Sequence, residues 1–321
     1  MAGERARSTR AVGHLDLLGA QSLAITDPDG FRSSLADLEA AVDSSASLLG
    51  DHGSIYLFAD CLYFEAASLT SALDFAAHVR SLLLAGKAFF KCAIAPGDLG
   101  ARTLQLGAGK KPNQVHGTVF GPGVIDVFQL HNRLTGVGVS VSNEFPSDSL
   151  HRERRRLASS MCFSGMRQYD AFTDLLLTRE EVQNHTQVRE LFEHLRRLRF
   201  RSRDLPAKYF PLILNFVRSS DFKRLNLAAA EVGKRNIPPV MEFLTAGGMG
   251  RDSLGTLPWF PMLQMALVDQ WTRTATNPSQ SSTKAFLERI MGTVSRPPID
   301  LDKVPANLLG AEARKVMMDV H

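Results

Sequence analysis

The chain is short of cysteine, with three in 321 residues: Cys61, Cys92 and Cys162. None are spaced as C-x-x-C and each stands among apolar residues. That excludes a disulfide framework or a thiolate zinc site, and reads as buried free thiols of a reducing compartment. Long apolar runs are lacking too. A run such as Ser81-Leu82-Leu83-Leu84-Ala85 is far below the length of about 18 residues that spans a bilayer. The basic stretch MAGERARSTRAVGH has neither the apolar core nor the small-residue cleavage site of a secretory signal. A cytoplasmic protein is the expectation. Lysine is missing between His151 and Arg203, where 12 arginines stand against 7 acids. A nucleic-acid surface would mix Lys with aromatics and Gly, so this region reads as a solvated helix face with ion pairs.

The rest of the composition is ordinary for a soluble protein: 44% apolar, 22% charged, net charge +4. The length exceeds what one core needs, so two domains, or one domain with a large extension, is expected. Up to about residue 145 strand and helix signals alternate. AVGHLDLLGA (11–20) suits a buried strand, and residues 27–51 carry Phe31, Leu35, Leu38, Val42 and Leu49 at helical spacing. Paired strands follow over 53–67, then a helix over 68–86 with Ser68 as N-cap and Gly86 just past its end. Strands over 87–100 and 114–120, a helix over 121–134 and a strand over 136–142 complete this part. The layout is α+β, a mostly antiparallel sheet with helices on one face. From residue 146 the strand signals stop. Amphipathic stretches over 178–200, 206–220, 257–275 and 281–294 read as a helical extension, giving domains 8–145 and 146–321.

Turn residues are also absent where they are wanted. In GSIYLFADCLYFEAA (53–67) two apolar strands meet at Ala59-Asp60-Cys61, a corner without Gly, Pro or Asn to supply positive φ angles. A second acid, Asp16, interrupts the apolar first strand, where an ionised carboxylate is costly unless paired or bound to metal. Leu17-Leu18-Gly19 follows it as an apolar turn whose Gly allows a close backbone approach. If the hairpin pairs beside the first strand, Asp16 and Asp60 converge, and two adjacent carboxylates call for cations such as Mg²⁺ or Mn²⁺.

Four stretches in order resemble class III nucleotidyl cyclases: HLDLLGA, IYLFADCLYF, FFKCAIAPGD and VFGPGVIDVFQLHN. They span residues 11–145. The resemblance implies a palm-like sheet and a head-to-tail homodimer with two sites at the interface, each built from both protomers. It implies two divalent metal ions (Mn²⁺ or Mg²⁺) on Asp16, Asp60 and the Leu17 carbonyl. The triphosphate would rest on backbone N–H groups of residues 17–20, Leu18, Gly19 and Ala20 among them, and on Lys91, where the family often has Arg. Purine cyclases read the base with a Lys or Glu four positions before the second metal Asp; here that residue is Tyr56, with Thr118 nearest to its partner position. A Tyr there suits a smaller ring. The chain therefore looks similar to the Pycsar anti-phage pyrimidine cyclases, with UTP as substrate, cyclic UMP as product and a cyclic-nucleotide-sensing effector downstream.

The pattern breaks on the helix after Gly121. Where the family has Asn and Arg to orient the ribose and stabilise the transition state, this chain has Ile125 and Gln129. An Arg from the cluster Arg152, Arg154, Arg155 and Arg156 is a candidate source of the missing charge. Plainer readings stand beside these: Tyr56 as core or interface filling, Lys91 as a snorkelling strand-end lysine, and His14 and His116 as structural. Cytidylate or purine cyclisation, a diguanylate-cyclase relative, and a catalytically silent dimerisation module are the alternatives. The diguanylate reading lacks its Gly-Gly-Glu/Asp hairpin.

Overall fold

A computed structural model describes residues 10–51, 53–106, 114–134, 137–164, 168–177, 212 and 215. The chain divides into two compact units, Met1–Leu175 and Leu176–His321. The first opens with β1 (Ala11–Leu17), α1 (Ala20–Thr26) and α2 (Pro28–Ser45), followed by the hairpin β2 (Ser54–Phe58) and β3 (Cys61–Ala66). Then come α3 (Leu69–Ala85), β4 (Phe90–Pro96), β5 (Gly100–Leu106), β6 (Gln114–Phe120), α4 (Pro122–Arg133) and β7 (Gly138–Val141). It closes with α5 (Ser147–Arg152), β8 (Leu157–Ser164) and β9 (Gln168–Leu175).

Seven strands form one sheet in the order β2-β3-β1-β4-β7-β9-β8. The described pairings in it are antiparallel except β4 with β7. β1 is central and is paired along its length on both sides. Its residues alternate between two buried faces. Ala11, Leu15 and Leu17 meet Cys92 and Ile94 and the apolar side of α2 and α3 (Leu38, Leu73, Phe75, Val79, Leu83). Val12 points the other way, with Ala93, Ala95, the α4 residues Val127 and Leu130, and Leu134 just past the helix. The mostly antiparallel α+β layout is as the sequence implies; α4 adds a layer on the face opposite α2 and α3. Its close seat depends on Gly123, where an added Cβ would lie 2.6 Å from Val12 Cγ2.

The expected cap is present, since the Ser68 side chain accepts from Ser71 N–H, and Gly86 follows the last residue of α3. Among the described residues, the strand expected over 114–120 pairs with β5 alone, in a separate two-stranded ribbon. The larger difference is the end of the first unit. Expected at residue 145, it lies at Leu175, because β8 and β9 extend the sheet. The segments LASSMCFS and QYDAFTDL are strands of eight residues each. Their weak period-2 pattern is easily lost behind the preceding arginine run. Arg80, only 1% exposed, ties this end down from α3, donating to the Leu175 carbonyl at 2.8 Å.

In the second unit the Leu177 N–H donates to Asn215 Oδ1 at 2.9 Å. The helices expected over 178–200, 206–220, 257–275 and 281–294 otherwise lie outside the described residues. Among the described residues no helix is long and apolar enough to cross a membrane.

Candidate active site

Asp16 is brought to Asp60 by strand register. β1 runs antiparallel to β3 with Asp16 opposite Cys61, and antiparallel to β4 with Asp16 opposite Lys91. Asp60 occupies the two-residue turn joining β2 to β3, and the Leu17 N–H donates to its carbonyl at 2.9 Å. That bond locks the corner of the hairpin to the last residue of β1. Ala59, the other turn residue, has φ 51°, a left-handed conformation that a side chain disfavours. The turn chemistry missing from the sequence is thus met by strain in a non-glycine residue, which the flanking ladder Phe58↔Cys61 and the Leu17 bond hold in place.

The charges around Asp16 oppose one another. Burial and then the neighbouring Asp60 push its carboxyl above the usual range, and Lys91 pulls it back. A cation between the two carboxylates would relieve that repulsion. Two carboxylates and the Leu17 carbonyl at one strand end are hard donors, suited to Mg²⁺ or Mn²⁺. Among the described residues no group of three or more His, Cys, Asp or Glu side chains gathers to hold a metal ion. Further ligands to this pair would have to be main-chain, water or substrate oxygens.

The cradle expected over residues 17–20 is only partly available. The Leu17 N–H is taken by Asp60 and the Leu18 N–H donates to the Phe89 carbonyl at 2.8 Å. Both are ladder-like bonds to neighbouring segments, which local sequence does not reveal. This corrects the role expected of Leu18 and leaves Gly19 and Ala20. Gly19 adopts φ 83° where the chain turns from β1 into α1, with open space around its Cα, so the conformation is what selects glycine there.

Lys91 is half-buried on β4, and its ammonium donates to the Leu134 carbonyl at the end of α4 at 3.4 Å. Tyr56 lies on the same sheet face one row away, cross-strand from Tyr63 and packed at the edge of the α4-side cluster. Thr118 is exposed on β6, opposite Arg102 in the separate ribbon. Within one chain, then, the fold joins Asp16, Asp60 and Lys91, sets Tyr56 nearby, and leaves Thr118 in another sheet. Ile125 and Gln129 are exposed on α4. Of the arginine cluster, Arg156 is paired with Asp74 on α3 at 2.8 Å and with Glu153, and Arg154 lies 3.3 Å from His151 Nε2. α3 covers the face opposite Asp16, so within one chain Arg156 is committed elsewhere.

A group the sequence reading left as structural lies behind the carboxylates. His14 is on the Asp16 face of β1; it stacks on Tyr63 with ring centroids 4.3 Å apart and meets His131 of α4 at 4.1 Å. Both imidazoles are buried, and His14 Nδ1 and His131 Nε2 have no hydrogen-bond partner. Burial first and the Lys91 charge after it hold His14 down at about 4. His131 is held at about 3, by burial, then His14, then Lys91. Both are therefore neutral near pH 7. The His116 side chain lies outside the described residues, as does that of Cys162. Cys92 is buried as expected, whereas Cys61 is only half-buried. Cys61 remains a neutral thiol, because burial and the two carboxylates push its pKa up.

No family model matches the chain, and no curated protein matches it in sequence. Among solved structures it is similar to the adenylyl cyclase CyaB from P. aeruginosa, with 14% identity, 54% of this chain and 95% of that chain covered, and a TM-score of 0.37. The guanylyl cyclase domain of the RhoGC fusion protein from the aquatic fungus Blastocladiella emersonii gives 13% identity, 52% and 95% coverage and 0.39. Adenylate cyclases from Trypanosoma brucei in their monomeric state give 10% identity, 54% and 89% coverage and 0.40.

Two measurements check this geometry. Ala59→Gly should relieve the turn strain by about 0.5–1 kcal/mol after the cost of a freer unfolded chain. Amide exchange in β2 and β3 should slow accordingly, and faster exchange would contradict the strained turn. The histidines make stability pH-dependent. Their folded values lie below the ordinary 6.5, so the unfolded chain takes up protons that the native one refuses. Stability present above about pH 6.5 is lost as pH falls toward 4, by about 2 kcal/mol per histidine at pH 5. Asp16, raised, works in the opposite sense and offsets part of this loss. Urea midpoints at pH 7, 6 and 5 should show the fall, and His131→Phe should flatten it by about half.

Proposed function

We propose that the first unit is a nucleotidyl cyclase that closes UTP into 3′,5′-cyclic UMP and releases pyrophosphate. The observation that carries the reading is the placement of Asp16 and Asp60: two carboxylates from separate elements, repelling one another at the end of a central strand. Asp16, Asp60 and the Leu17 carbonyl would hold two divalent ions, Mn²⁺ or Mg²⁺. When bound, these supply Lewis acidity at the ribose 3′-hydroxyl and the α-phosphate.

The chain's own groups do the positioning. Lys91 brings positive charge to the triphosphate as a point charge, without the two-pronged geometry of an arginine. The Gly19 and Ala20 amides open α1 beside the carboxylates. Tyr56, with Thr118 nearby in the family pattern, reads the base from the partner protomer of a homodimer, and its bulk selects a pyrimidine. The in-line attack of the 3′-oxygen on the α-phosphorus breaks the bond to pyrophosphate and leaves one cyclic phosphodiester. With Ile125 and Gln129 on α4, no side chain at those positions stabilises the charge that develops, so turnover is expected to be slow. In the cell the product would act on a cyclic-nucleotide-sensing effector, as second-messenger synthesis in anti-phage defence, in the cytoplasm.

The outer side of α4 favours a second reading. Ile125 and Phe128 are 59% and 48% exposed, and Phe120 just before the helix is 54% exposed. Apolar side chains there suit a contact surface, so the unit could be a silent cyclase-like dimerisation module.

The test is incubation of purified protein with each nucleoside triphosphate and Mn²⁺, with products identified by mass spectrometry. Cyclic UMP is expected, with Asp60→Ala lowering the rate at least ~100-fold, since one carboxylate cannot hold both ions. Cyclic AMP in place of cyclic UMP removes the base assignment, and so does a base preference unchanged by Tyr56→Lys. No cyclic product with any nucleotide favours the silent module.

A further inference from the structure

We propose that Tyr63 is a second base-reading residue, its hydroxyl working beside that of Tyr56 to take the outer edge of uracil, the N3–H and the 4-oxygen. The inference deepens the cyclase reading and rests on its assignment of Tyr56 to the base; Tyr63 has no part in that assignment.

Register puts the two phenols together. Tyr56 of β2 and Tyr63 of β3 are directly opposite in an antiparallel pair, on the sheet face that carries Asp16. Side chains so placed have Cβ atoms roughly 5 Å apart. Both are half-buried at the margin of the α4-side cluster. Among the described residues neither hydroxyl makes a hydrogen bond, and neither is sealed from solvent as His14 Nδ1 and His131 Nε2 are. Two open hydroxyls thus stand side by side at the edge of an apolar cluster.

The two rings are held differently. Tyr63 lies flat against His14, with centroids 4.3 Å apart and planes 5° from parallel, and Phe58 stands edge-on to it at 6.3 Å. His14 is itself backed by His131 of α4 at 4.1 Å. Packing on a face and an edge fixes the plane of Tyr63 and aims its hydroxyl before any ligand arrives. Tyr56 has no such ring contact among the described residues. The better-aimed hydroxyl of the pair is therefore that of Tyr63.

A phenol hydroxyl both donates and accepts. Uracil presents an acceptor, O4, next to a donor, N3–H, on the edge away from its sugar. One hydroxyl donates to O4 while the other accepts from N3–H. The matching edge of a purine lies farther from its sugar, so a ring fixed in place for one cannot meet the other.

The experiment is calorimetry on the full chain with Mn²⁺ and 3′-deoxy-UTP, which lacks the hydroxyl that would close the ring. Tyr63→Phe keeps the stack on His14 and removes only the oxygen. It should weaken binding roughly 3- to 10-fold, and Tyr56→Phe should weaken it too. Inorganic tripolyphosphate, which has no base, should bind both variants as it binds the wild type. A loss shared by tripolyphosphate marks a disturbed site and overturns the contact. A second nucleotide, with 2-pyrimidinone as base, lacks the 4-oxygen and the N3 hydrogen. Tyr63→Phe should cost less than half as much with it, and an equal cost with both bases overturns the contact. Where Tyr63→Phe does not fold, the wild type decides: the 2-pyrimidinone nucleotide should bind at least ~3-fold more weakly than 3′-deoxy-UTP, and equal affinity overturns the edge reading. An unchanged affinity in Tyr56→Phe removes the pairing. If these ratios hold but UTP yields no cyclic product, the cyclase reading fails and Tyr63 keeps its role. If 3′-deoxy-UTP binds no better than tripolyphosphate, or neither binds, the base assignment fails and Tyr63 with it, while product formation alone decides the cyclase reading.

Discussion

The antiparallel register of β1 between β3 and β4 is the constraint from which the rest of the site follows. It sets Cys61 on one side of Asp16 and Lys91 on the other, and it brings the hairpin corner to the end of the strand. A slip of one residue would turn Asp16 into the α2–α3 core, where Leu15 and Leu17 now pack, and would expose those leucines on the α4 side. The buried apolar faces thereby enforce the position of a carboxylate that is itself unfavourable. Stability from Leu15 and Leu17 on one face offsets the cost of Asp16 and Asp60 on the other.

The same logic explains the two histidines. An isolated polar ring in an apolar layer usually finds a hydrogen-bond partner, yet His14 and His131 each retain an unpartnered nitrogen. What they gain is contact: the stack on Tyr63 and the tilted contact with each other. They join β1 to α4 beside the carboxylates and are uncharged near neutral pH.

Much of this was legible in the sequence, and the limits have physical causes. Asp16 and Asp60 stood out because each interrupts an apolar run, and an acid in such a place needs a reason. Ser68 and the α3 pattern were legible because caps and helical spacing are local. The occupation of the Leu17 and Leu18 amides was not, since their acceptors Asp60 and Phe89 belong to other elements. Nor was the His14–His131 contact, which joins the first strand to the end of α4. β8 and β9 were missed for a different reason: their alternation of apolar and polar residues is weak, and the arginines just before them read as the start of a solvated helix. The helices α2, α3 and α4 were easy to read, α1 and α5 were not, and the placement of α4 on the face opposite α2 and α3 depends on Gly123 meeting Val12, a packing detail with no sequence period.

The central position of β1 also bears on how the chain is made. It is the first strand of the sheet to leave the ribosome, and its two partners are β3 and β4, the latter ending at Pro96. At usual elongation rates the delay between the end of β1 and the end of β4 is on the order of 10 s. Until β3 is complete at Ala66 the strand has neither neighbour, and until β4 is complete its other edge still bonds to water or to whatever binds the emerging chain. A strand that ends up paired on both sides therefore waits with an open edge while its second neighbour is made. The carboxylate at its end lends solubility to the segment during that wait.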